Sequence, residues 1–250
     1  MATRNIKLTI AYDGTEYHGW QIQPGFRTIQ GTLTEAIGGL LECKVRICGA
    51  SRTDAGVSAL GQVGLIQIDS PIPTENLAKA ITDRLPPDMA VVEAAEAPPG
   101  FDVIGAVRSK LYRYTIHNGP VRPVLQIRHC WHIPTKLDTA AMAEAGKFLV
   151  GEKDFKSFAS ANDKREDTVR TIFRCDVTGG EQPEGGWVYV DVEGDSFLYN
   201  MVRNIVGTLV EIGVGRWKPE KINEILEAKD RRAAGVLAPA AGLCLIRIEY

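Results

Sequence analysis

No apolar run in this 250-residue chain approaches the ~20 residues needed to cross a membrane. Low-complexity blocks are missing too, so neither a bilayer segment nor a disordered tract is expected. The opening Met1-Ala2-Thr3-Arg4-Asn5 leads straight into alternating residues without a secretory apolar core, which makes a cytoplasmic location the default. The cysteines, at 43, 48, 130, 175 and 244, are odd in number and lack paired CxxC spacing. That argues against a zinc site or a disulfide framework and for reduced thiols. His18, His117, His129 and His132 show no HExxH or Cys/His ligand spacing, so no metal is expected. Glycines 14, 19, 25 and 31 form neither GxxxxGK[ST] nor GxGxxG, which leaves a nucleotide phosphate loop unsupported. Nor is there an excess of positive charge. With 29 Lys plus Arg against 31 Asp plus Glu the net charge is −2, which weighs against an indiscriminate RNA binder but leaves room for a local basic cleft.

What is present is an ordinary globular composition, 44% apolar and 24% charged, long enough for one large or two modest domains. Ile6, Leu8, Ile10 and Tyr12 alternate with Lys7 and Thr9 as in a half-buried strand. Ile29, Leu33, Ile37 and Leu40 mark a helix over 28–41. Strands over 43–49 and 62–68, a helix over 74–85 ending before Pro86-Pro87, and a strand over 89–94 complete a β-α-β-β-α-β half. The second half repeats that order: a strand over 110–116, a helix over 138–149, and strands over 169–178 and 186–193. A long helix over 196–212, a short one over 219–227 and a strand over 242–249 follow. The expected fold is therefore α+β, two ferredoxin-like halves with mostly antiparallel sheets flanked by helices and a cleft between them. The division falls near residue 100, at Ala97-Pro98-Pro99-Gly100, giving domains 1–100 and 101–250.

One stretch stands out chemically. Residues 49–64 read Gly-Ala-Ser-Arg-Thr-Asp-Ala-Gly-Val-Ser-Ala-Leu-Gly-Gln-Val-Gly and place the carboxylate of Asp54 between Arg52 and Gly56, where two apolar runs meet in a turn. A loop on a rigid scaffold is a common seat for catalytic groups. Arg52, two residues away, would hold the carboxylate ionised, as a nucleophile or base rather than a proton donor. On turn chemistry alone, a structural turn residue is the stronger reading of Asp54. The run Gly49-Ala-Ser-Arg-Thr-Asp-Ala-Gly-Val57 closely resembles the catalytic loop of the tRNA pseudouridine synthase A family, whose motif Asp is essential. Lys110-Leu-Tyr-Arg-Tyr114 resembles the family's second motif, which implies that Tyr112 stacks on the target base beside Asp54. A phenol suits that task, with a π-face and a hydroxyl able to relay a proton. Tyr114, on the same face, reads as core packing.

In the helix over 196–212, Met201, Ile205 and Leu209 form one stripe and Val202, Val206 and Val210 the next. Arg203 interrupts this apolar surface. A buried guanidinium needs a partner, and Asp54 is the expected one, although an arginine at the helix edge could also reach water. Phe197-Leu-Tyr-Asn-Met-Val-Arg-Asn-Ile-Val-Gly207 matches the family closely, as do Thr168-Val-Arg-Thr-Ile172 and the Ala238-Pro ending. Ser58 and Ala241 stand where the family usually has His, Ile104 where it has Arg, and Gly105 where it has Phe. These departures touch RNA contacts more than chemistry.

The resemblance implies isomerisation of uridine to pseudouridine at positions 38, 39 and 40 of the tRNA anticodon arm, by a homodimer needing no cofactor. Asp54 would be the nucleophile or base, Tyr112 the stacking partner, Arg52 an aid to base flipping or phosphate binding, and Arg203 the group that orients Asp54. The alternative from another class is a tRNA-binding or folding protein on the same scaffold with weak or lost catalysis. A glycosidase-like carboxylate enzyme would need a second acid that the sequence does not identify.

Overall fold

The computed structural model describes residues 3–179 and 186–250. Met1 and Ala2, at the head of the N-terminal lead-in, lie outside the described residues. The chain divides into two compact units, Met1–Arg108 with Cys244–Tyr250, and Ser109–Leu243.

In the first unit, β1 (Arg4–Tyr12) alternates as its sequence does, with Ile6, Leu8 and Ile10 fully buried. Each such side chain contributes roughly 2 kcal/mol over leaving it exposed. The helix α1 (Ile29–Leu41) starts where the Thr28 side chain accepts a hydrogen bond from the Gly31 backbone N–H, and buries Ile29, Leu33 and Ile37. Then come β2 (Ile47–Gly49), β3 (Ser58–Ile68), α2 (Thr74–Thr82) and β4 (Met89–Ala97). β1 pairs antiparallel with β3 on one side and with β4 on the other, and β2 pairs antiparallel with β3. The resulting order β4-β1-β3-β2 is that of the expected ferredoxin-like half. β2 is shorter than the sequence pattern suggests, and β3 begins earlier, at Ser58.

The second unit contains β5 (Ser109–Asn118), β6 (Trp131–Ile133), α3 (Thr139–Lys147), β7 (Gly151–Asp154), β8 (Val169–Gly179), β9 (Gly186–Gly194), α4 (Met201–Gly213) and α5 (Lys221–Ala228). The antiparallel ladder runs β5-β9-β8-β7, and β6 joins β5 in parallel. Val188, Val190 and Val192 of β9 point into the core as their alternation requires. Asp138 caps α3, which packs on β8 and on α4. The short strands β6 and β7 carry no period long enough to mark them in the sequence.

Two expectations shift. The helix expected over 196–212 begins only at Met201, because Asn200 is left-handed (φ 62°) and the residues before it are held by other bonds. The Tyr199 N–H donates to the Asp163 carboxylate (2.9 Å), and the Tyr199 carbonyl accepts from the Ser160 N–H (2.8 Å). The final strand, β10 (Leu243–Glu249), belongs with the first unit, so the division is not the simple one at residue 100. Its Cys244 and Leu245 pair in parallel with Ser58 and Ala59. β2 covers only Gly64 to Ile66 of the same edge of β3, which leaves the start of that strand open to β10.

Candidate active site

The loop from Ala50 to Val57 hangs between β2 and β3, and almost every step of its backbone is tied down. The Ala50 N–H donates to the Val63 carbonyl (2.8 Å) and closes the base of the loop. The Thr53 carbonyl accepts from the Trp20 N–H (3.0 Å), the Gly56 N–H donates to the Tyr17 carbonyl (3.2 Å), and the Val57 N–H returns to the Asp54 carbonyl (3.1 Å). Gly56 follows Asp-Ala because the turn needs its positive φ of 78°. Gly19 approaches from beneath with φ +82°, and a Cβ there would lie 2.7 Å from the Thr53 carbonyl oxygen. The Ser58 hydroxyl, standing where the family usually has His, accepts from the Gly14 N–H (3.0 Å).

The supporting segment is itself locked. Tyr17, only 2% exposed, donates its hydroxyl to Asp88 (2.7 Å), and Arg27 binds Asp88 (2.9 Å) while lying 4.1 Å over the Tyr17 ring. Burial, reinforced by Asp88, pushes the Tyr17 phenol well above the usual range. With Ser51, Thr53 and Val57 buried, Arg52 is left exposed and Asp54 half-buried, on a loop that cannot swing freely. Such a carboxylate can act as a nucleophile or a base without first being ordered.

In the second unit Tyr112 lies on β5 opposite Val192. Its ring meets Phe197 edge to face, with centroids 5.3 Å apart and planes at 89°. Phe197 fixes the plane of Tyr112, a role that its place ahead of the apolar stripes of α4 gave no reason to expect. Tyr114, on the same face, is fully buried and donates to the Pro239 carbonyl (2.8 Å). Burial pushes its phenol well above the usual range, while the Arg203 charge pulls it back part of the way. Arg113, on the opposite face, binds both oxygens of Asp191 (2.8 and 2.7 Å). Lys110, one strand step from Tyr112 on its face, is a cation the sequence reading passed over. Burial and the Arg165 charge hold its ammonium below the usual range.

Arg203 is the half-buried exception in the first three turns of α4. Its Nε donates to the Ala238 carbonyl (2.7 Å) and one Nη to Asn200 Oδ1 (3.0 Å). Ala238 in turn donates its N–H to the Arg203 carbonyl (3.3 Å), so the guanidinium is held by a segment bonded to its own helix. Arg52 and Asp54 thus share one loop of the first unit, and Tyr112 and Arg203 lie on neighbouring elements of the second. Among the described residues there is no group of three or more His, Cys, Asp or Glu able to hold a metal ion, and no helix long and apolar enough to cross a membrane.

A family model described as tRNA pseudouridine synthase matches residues 8–104 and 145–250, a span that includes Arg52, Asp54 and Arg203, and the chain belongs to that family. Among curated relatives, tRNA pseudouridine synthase A of Pelobacter propionicus is 44% identical over 247 residues, covering 99% of this chain and 100% of the relative. The protein of the same name from Caldicellulosiruptor bescii and tRNA pseudouridine synthase A 2 of Clostridium perfringens are each 41% identical, with the same coverage. A crystal structure of a Cbf5-Nop10-Gar1 complex is matched over 96% of this chain and 58% of that chain at 12% identity and a TM-score of 0.34, too low to argue from.

Proposed function

We propose that this protein isomerises uridine to pseudouridine in tRNA, with Asp54 as the nucleophile and uridines 38, 39 and 40 of the anticodon arm as targets. The observation that carries this reading is the Asp54 loop, a single half-buried carboxylate beside an exposed arginine on a backbone bonded along its length. The reaction breaks the N1–C1′ bond, forms a C5–C1′ bond, removes the proton on C5 and leaves one on N1. Nothing is oxidised or reduced, so acid–base and nucleophilic groups suffice, and no cofactor is called for.

A uridine in a stem is reached only by flipping it out of its stack, at a cost of a few kcal/mol. Tyr112, its plane set by Phe197, offsets part of that cost by stacking on the uracil. Arg52, exposed on the Asp54 loop, meets a phosphate or fills the space the base vacates. Arg203, its guanidinium held by the Ala238 carbonyl and Asn200, serves as a further substrate-binding cation. The enzyme works as a homodimer in the cytoplasm.

Replacing Asp54 by Asn tests the assignment. No pseudouridine should form in a tRNA transcript even after prolonged incubation, while tRNA binding stays within a few-fold of wild type; retained turnover would overturn it. Mapping with the wild-type protein tests the targets. Modification confined to uridines outside 38–40 overturns the positional reading, and unmodified uridine throughout favours the tRNA-binding alternative.

A further inference from the structure

Gln62 is a fully buried amide in a place where the strand pattern calls for an apolar side chain. It lies on β3 in phase with Gly64, Ile66 and Ile68, all on the core face. A buried amide is costly unless its hydrogen bonds are made. Here they run to the loop. Oε1 accepts from the backbone N–H groups of Ser51 (3.3 Å) and Val63 (3.0 Å), and Nε2 donates to the Ser51 carbonyl (2.7 Å). Nε2 also lies 3.5 Å from the Tyr12 hydroxyl, which is 2.8 Å from Thr53 Oγ1. The β1–β3 register shifts at this point, with Ile10 facing Gln62 but Tyr12 facing Ala59, so β3 carries an extra residue and its ladder is interrupted. The Gln62 side chain offers Ser51 the donor and acceptor that a neighbouring strand backbone would offer.

Ser51 and Thr53 are the residues on either side of Arg52. Resting on the assignment of Asp54 as the nucleophile, we propose that Gln62, seconded by Tyr12, is a positioning residue. Its amide holds the backbone before Arg52 while the Tyr12 hydroxyl holds Thr53, and together they set the direction in which Arg52 and Asp54 meet the flipped nucleotide.

Gln62→Glu keeps the shape and replaces the donor by a carboxyl oxygen. The neutral acid still has one O–H to give the Ser51 carbonyl; the carboxylate has none and faces that oxygen with like charge. Burial raises the pKa of such an acid above its usual value of about 4.3, so the donor is lost as pH rises. The measurement is the single-turnover rate constant at saturating enzyme, which an unfolded fraction does not change. Relative to wild type at each pH, it should be near unity at the acid end and fall by about 100-fold towards alkaline pH, as expected for a displaced reacting group. The Kd for tRNA should stay within about threefold, because uniform binding is not what is lost. A ratio that is flat with pH overturns the proposal.

Should Gln62→Glu fail to fold, Tyr12→Phe removes the hydroxyl that ties Thr53 and lies against the Gln62 amide. The rate constant should then drop about tenfold at unchanged Kd, and an unchanged rate constant overturns the proposal. Asp54→Asn run in parallel separates the two readings. Turnover retained there defeats the nucleophile assignment, whereas no turnover there with a wild-type rate in Gln62→Glu defeats the positioning role alone.

Discussion

Around Asp54 the polypeptide has no regular structure, and its shape comes from hydrogen bonds to segment 13–20 and to β3. Around Tyr112 and Arg203 the backbone is strand and helix set by packing, with Phe197 against Tyr112 and a broad buried face on α4; there only the Arg203 head group is directed by hydrogen bonds, to Ala238 and Asn200. Hydrogen bonds are directional and cost most when one partner is left unsatisfied, whereas packing is diffuse and scales with area. The two regions should therefore fail differently. Damage to the loop's supports removes activity while most stability survives, and damage beneath α4 removes stability while the surviving folded molecules keep their rate.

Gly19→Ala tests the first region, with a large expected effect on rate. Its φ of +82° and the nearby Thr53 carbonyl leave no room for a Cβ, so the loop must shift. A shift near 1 Å at a reacting group lowers the rate by about 100-fold, read as single turnover at saturating enzyme. A wild-type rate would show that the loop accommodates freely and would erase the contrast. Ile205→Ala probes the other side. This fully buried side chain on α4 should cost about 3 kcal/mol in chemical denaturation, with the rate per folded molecule within about threefold. A rate collapse with little loss of stability would make the second region as directional as the first.

The mildest test concerns thiols. Burial pushes the Cys175 thiol up to about 12, and β8 holds it inside the core of the second unit. Native protein near pH 8 should be alkylated at the exposed Cys43 and Cys48 and not at Cys175, as read by peptide mass spectrometry. The sign follows from the direction of the shift. The neutral thiol is favoured in the folded state, so stability from this group is intact below the unfolded value near 9 and is lost as pH rises towards 12. Labelling at pH 8 would mean that the core of the second unit opens more readily than its packing implies.

Much of this was legible in the residues themselves. Alternation in β1, the helical spacing of Ile29, Leu33 and Ile37 and the Asp-Ala-Gly turn are local signals, written by periods and by the few residues that tolerate special backbone angles. The start of α4 was misplaced because Asn200 takes a left-handed conformation that helical spacing does not reveal, and because Asp163, far away in sequence, claims the Tyr199 N–H. Gln62 did carry a signal, a polar residue on the apolar phase of a strand. Its meaning depended on the bulge that brings Ser51 within reach.

By itself, the sequence determined the order of the longer elements, the α+β class and the residues with chemistry to offer, because periodicity, turn preference and motif spacing act over a few residues at a time. Only the tertiary structure decided that β10 pairs with β3, that Phe197 sets the Tyr112 ring, that the Ala238 carbonyl holds Arg203, and that Gln62 and Tyr12 grip the peptide on both sides of Arg52. Those bonds join residues tens of positions apart, and such partners are chosen by shape and by the need to satisfy buried polar groups, neither of which a local pattern contains.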